Sequence, residues 1–216
     1  VFTFSTSADD LRPSLTLAIV HGVFGQVFFS IMVALAAFTS LAWQRGAPPR
    51  PALTAGTDRA LLKLLYGGLV VQLIVGALVR HLMSSEWAVA SGWVESLLMV
   101  HIALAVMARL GALGCGLRGW GLYPDLPPRG RLGAALLALI GLQVVLGVAA
   151  YIVVYGGAAV PHRATGFDVL ITTLHQTTGA ALLGVAVLLM AWSYRRLVPA
   201  EAEVAPVAAA APSQAG

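Results

Sequence analysis

The stretch Phe167-Asp-Val-Leu-Ile-Thr-Thr-Leu-His175-Gln-Thr-Thr-Gly179-Ala-Ala-Leu-Leu-Gly184-Val-Ala-Val-Leu-Leu-Met-Ala-Trp192-Ser-Tyr194 carries a histidine about two turns inside its first end. It is apolar and long enough to cross a hydrocarbon core, which takes roughly 20 residues as a helix. An imidazole buried in lipid is costly unless a metal or a strong partner takes its lone pair. The same pattern recurs twice upstream, in Ser14 to Trp43 with His21 and in Trp93 to Leu117 with His101. Two further apolar stretches, Leu61 to His81 and Leu132 to Tyr155, alternate with these and carry no histidine at that position.

Composition points the same way. Of 216 residues, 59% are hydrophobic and 10% charged, whereas about a quarter of a soluble domain is charged. The sequence therefore predicts an all-α integral membrane protein with five transmembrane helices, and it excludes soluble enzyme folds. The single cysteine, Cys115, allows no disulfide within the chain and no cysteine metal cage, and reads as a small buried hydrophobe.

The formal charge of +4 is unevenly placed. Arg45, Arg50, Arg59 and Lys63 flank the first link, Arg118, Arg129 and Arg131 fill the third, and Arg195 and Arg196 follow the last segment. If the segments cross in succession, all of these share one side, and the other side holds Arg12, Arg80 and Arg163. By the positive-inside rule the N-terminus and the loops near Ser84 and Pro161 lie outside and the C-terminus in the cytoplasm, in a multi-pass arrangement expected of a bacterial inner membrane. Nucleic-acid binding is not implied. Residues 197–216 read as a disordered tail rich in Ala, Pro and Glu.

Topology gives the histidines a common depth. His21, His101 and His175 each follow the outer start of their segment by seven or eight residues, which at about 1.5 Å per residue sets them roughly 10 to 13 Å deep. One layer of imidazoles on separate helices is what axial ligation of a heme iron needs. An internal repeat selects the pair. Gln72-Leu-Ile-Val-Gly76 precedes the His101 segment, and Gln143-Val-Val-Leu-Gly147 precedes the His175 segment. Two copies of this unit make a four-helix bundle over residues 61–196 with one bis-histidine heme b between His101 and His175. Gly25, Ala105 and Gly179, one turn after the three histidines, would let a flat macrocycle approach, or serve as ordinary small-residue helix contacts. His21 breaks the symmetry, since no Gln-x-x-x-Gly helix precedes it. Residues 14–43 therefore read as one helix of an incomplete N-terminal bundle, residues 1–13 as its external connection and residues 44–60 as a cytoplasmic linker.

Taken in order, His21-Gly-Val-Phe-Gly-Gln-Val-Phe-Phe, Ala36-Ala-Phe-Thr-Ser-Leu-Ala-Trp43, Gln72-Leu-Ile-Val-Gly-Ala-Leu-Val-Arg-His81, His101, Gln143-Val-Val-Leu-Gly147 and Leu174-His-Gln-Thr-Thr-Gly179 resemble the heme A synthases. The resemblance runs from about Leu15 to Arg196. It implies a protein of two fused four-helix bundles, of which this chain would be the last five helices. It implies that His101 and His175 are the metal ligands of heme b. It further implies that His21 is a catalytic histidine at the iron of the substrate, heme O, whose methyl group is oxidised to the formyl group of heme A. The family's catalytic glutamate, the partner histidine and an external cysteine pair would lie on helices absent here. Glu95 reads instead as a solvated or interfacial carboxylate.

The outer ends carry further cofactor-binding candidates. Arg80 beside His81, and Arg163 beside His162, are placed to hold heme propionates, or else to extend into solvent. Trp43, Trp93, Trp120 and Trp192 read as interface anchors. The partners to expect are the bilayer, the missing helices or a partner subunit, a second copy of the chain, and heme O synthase or oxidase assembly factors. Two alternatives stand beside a synthase: a b-type cytochrome electron-transfer subunit and a non-catalytic membrane subunit.

Overall fold

A computed structural model describes residues 14–83, 89–155 and 165–200. Its elements in chain order are α1 (Leu15–Thr39), the single turn α2 (Leu41–Gln44), β1 (Arg50–Ala52), α3 (Ala55–Leu82), α4 (Trp93–Gly121), α5 (Pro127–Tyr155), α6 (Gly166–Arg196) and β2 (Leu197–Pro199). Five of the helices, α1 and α3 to α6, are long and apolar enough to cross a membrane. The chain is an all-α membrane protein. The N-terminal 13 residues, the loops holding Ser84 and His162 with Arg163, and the tail beyond Ala200 lie outside the described residues.

Helix ends follow local chemistry more than apolar length. Ser40 turns extended and closes α1, and its hydroxyl then accepts from Trp43 N at 3.2 Å to start α2. Helix α3 begins at Ala55, six residues before the apolar run, and α5 begins on Pro127-Pro128, whose fixed φ suits a first turn. At α6 Thr165 and Asp168 form a reciprocal capping box. The first residues expected in the disordered tail, Leu197 to Pro199, instead pair in parallel with Arg50 to Ala52, drawn from the expected linker.

Helices α3, α4, α5 and α6 pack in a closed ring, each against the next and α6 back against α3, so α4 and α6 stand at opposite corners. Helix α1 lies outside this ring, against α3 and α6. At the crossing of α4 and α5 the backbones nearly touch: a Cβ on Gly133 would come 2.6 Å from the Gly116 carbonyl oxygen and 2.5 Å from the Trp120 backbone nitrogen. Only glycine permits that approach.

The interior divides into two halves. The main apolar core joins Leu62, Leu65 and Leu69 of α3 to Ala112 and Cys115 of α4, Leu136 of α5 and Leu182 to Leu189 of α6. All of these lie toward the end that carries Arg118 and Arg129, here the basic end. There a single polar network ties the four helices: Asp58 of α3 accepts from Arg118 Nε of α4 at 2.7 Å and from Tyr123 at 2.7 Å. It faces Arg129 of α5 at 3.6 Å, and Arg129 donates to Ser193 of α6 at 3.0 Å. Trp192 is buried and meets Trp43 edge-on at 5.3 Å, so these two join α6 to α2; of the four expected anchors, Trp93 and Trp120 are the exposed ones.

Candidate heme site

At the opposite end, the histidine end, buried Val79, Val94, Leu98 and Leu146 share the interior with polar side chains and glycines. His101 projects from α4 and His175 from α6, both half-buried, and the two rings are close enough to interact electrostatically. The repeated Gln-x-x-x-Gly units hold them. A Cβ on Gly76 would stand 2.9 Å from His101 Cε1, and one on Gly147 3.2 Å from His175 Cε1. Each ring therefore lies on the bare backbone of the neighbouring helix. Gln72 donates from its amide to the His101 carbonyl at 3.0 Å and to the ring Nε2 at 3.3 Å. In the second copy the Gln143 amide lies beside Gly179. The glycines that admit the imidazoles are thus those of the Gln helices; Gly179 seats a glutamine, and Gly25 faces open space.

Among the described residues, His101 Nδ1, His175 Nδ1, Gln72 Oε1 and Gln143 Oε1 are buried without a hydrogen-bond partner. Such groups cost about 1–3 kcal/mol each unless a ligand or water meets them. No three His, Cys, Asp or Glu side chains gather as a metal cage among the described residues. Two imidazoles from opposite corners, each set against a glycine, are the residues here that could serve as axial ligands of a heme.

His21 is not part of this grouping. It is exposed on the outer face of α1, in line with Leu17, Phe24, Phe28, Ile31 and Leu35, which are exposed as well. That stripe follows the 4-3 spacing of a helix-packing seam. Behind it, between α1 and α6, a groove is lined by Gln26, Thr173, Gln176 and Thr177. Arg80 is exposed and donates to Gln176, the residue after His175, which ties the end of α3 to the histidine helix. Arg163 falls outside the described residues, and Glu95 is exposed at the first turn of α4.

One residue escaped the sequence reading. Arg109, in the middle of α4, is half-buried at the histidine site. Its signal was a lone arginine in an apolar run, which in a membrane helix marks function by default.

No family model, no curated protein and no solved structure matches this chain.

Proposed function

We propose that this protein is the heme b half of a heme A synthase-type oxidoreductase. One observation carries the reading: on opposed helices the half-buried imidazoles of His101 and His175 each rest on the glycine of a repeated Gln-x-x-x-Gly unit, with both Nδ1 atoms and both glutamine amide oxygens buried without a partner. His101 and His175 would hold the iron, Gly76 and Gly147 set the position of the rings, and Gln72 orients His101. Bound there, a heme b supplies one-electron transfer.

His21 would serve the other iron, that of heme O, the substrate whose methyl group becomes the formyl of heme A. An ionisable side chain in a lipid-facing stripe is costly, so the seam through His21 supports a covering helical surface packed against α1, and activity would depend on that surface. The distribution of arginines supports an outer histidine end and a basic end in the cytoplasm, in a bacterial inner membrane. Heme O synthase and oxidase assembly factors are the partners this chemistry calls for. The second reading, a b-type cytochrome subunit, is favoured by the fact that His101 and His175 are brought together by this chain's own four helices.

Reduced-minus-oxidised spectra of the purified membrane protein test the proposal. His101→Ala and His175→Ala should each abolish the low-spin heme signal, while His21→Ala in a completed protein should leave it and stop heme A production. Unchanged low-spin bands in both bundle variants would refute the ligand assignment. Heme b bands with no heme A or heme O in extracted pigment would favour the cytochrome.

A further inference from the structure

Arg109 sits two turns beyond His101 on α4. At about 1.5 Å per residue it is roughly 24 Å from one end of that helix and 18 Å from the other, too deep to reach a lipid headgroup. Its guanidinium is turned toward the neighbouring α5. Arg109 Nη2 lies 3.5 Å from the place a Cβ on Gly147 would occupy, and His175 Cε1 lies 3.2 Å from that same place. The cation and the imidazole thus share one small patch of bare backbone, and Arg109 interacts electrostatically with both histidines.

A charge at this depth requires an anion or a set of polar acceptors. The described residues provide no carboxylate for it. The three ion pairs among the described residues use Arg50, Arg118 and Arg129. Asp58 is committed to the basic-end network, Asp125 to Arg50, and Asp168 to the cap of α6. Glu95, on the same helix, is about 21 Å away along the axis.

We propose that Arg109 receives a carboxylate of the ligand held between His101 and His175, namely one propionate of the heme, on the basic-end side of the histidine layer. The inference rests on the heme reading above and adds to it an anion subsite inside the bundle. A guanidinium excluded from water meets a carboxylate with two parallel hydrogen bonds, and such charge-assisted pairs are the stronger kind. The ligand so defined is apolar over most of its surface and acidic at one edge.

The test loads the full chain, as parent, Arg109→Gln and Arg109→Lys, with protoheme and with its dimethyl ester, and measures transfer of pigment to apomyoglobin. Arg109→Gln should speed protoheme loss about tenfold or more, and Arg109→Lys less. The ester should leave the parent at least as fast as protoheme leaves Arg109→Gln, and Arg109→Gln should not speed it further. The ester in the parent chain needs no substitution, so it reports even if a variant fails to fold. Equal effects of Arg109→Gln on both pigments, or no effect on protoheme, would overturn the subsite while leaving the heme reading intact. A parent chain that takes up neither pigment would overturn both.

Discussion

Alanine at Gly76 tests the construction of the site most directly. The new methyl would lie 2.9 Å from His101 Cε1 and 3.4 Å from Nδ1. Favourable carbon contacts begin at about 3.5 Å, so the ring must withdraw by roughly 0.6 Å or the two helices must part. Withdrawal also strains the Gln72 bond to the ring, which stands at 3.3 Å. Overpacking of this kind costs about 1–3 kcal/mol, against which a helical Gly→Ala change gains up to about 1 kcal/mol. Gly76→Ala is therefore expected to lose about 0–2 kcal/mol and to perturb the heme spectrum. Gly147→Ala, with 3.2 Å to His175 Cε1, should come out near balance. Gly141→Ala, on the same helix α5 with nothing within 4 Å, should gain about 1 kcal/mol. Thermal denaturation in detergent ranks the three, and the visible spectrum and heme content report on the ring. If Gly76→Ala is as stable as Gly141→Ala and keeps the parent spectrum, the imidazole does not rest on that glycine.

Two more substitutions probe other parts of the bundle. Asp58→Asn leaves Arg118 and the fully buried Arg129 without their anion, and breaking a buried pair by removing one partner should cost about 3–5 kcal/mol in thermal stability; a loss under about 1 kcal/mol would mean that the two arginines find other acceptors. Arg80→Gln removes a donor to Gln176, and because the arginine is exposed the expected loss of heme retention is only about 0.5–1.5 kcal/mol. An unchanged rate of heme release would leave Arg80 as a surface cation.

The five membrane helices were legible because apolar length alone identifies them. Their polar ends were not, since what admits Asp58 and Arg118 into helices is a network spread over four segments distant in sequence. The β1–β2 pair involves three residues on each side and leaves no periodic trace. The histidine pair was legible through the Gln-x-x-x-Gly repeat, although the repeat could not say that its glycines seat the rings. The equal spacing of His21 from its helix start speaks of depth alone; depth carries no information about facing, and the packing of α1 turns that residue outward. Arg109 is not legible as a site residue in the sequence, because the meaning of an arginine in mid-helix depends on which helix lies opposite.

The network at the basic end has a consequence for how the bundle breathes. Asp58, Arg118, Arg129 and Ser193 lash one end of four helices into a single network, while among the described residues Gln72 to His101, Arg80 to Gln176, and Tyr155 to Met83 at 3.6 Å are separate pairwise ties at the other end. Opening fluctuations should therefore concentrate where the polar interior lies, as in tweezers joined at one end, and backbone amides near His101 should exchange with solvent before those near Cys115. A flat ligand could slip in at the histidine end without the joint ever coming undone.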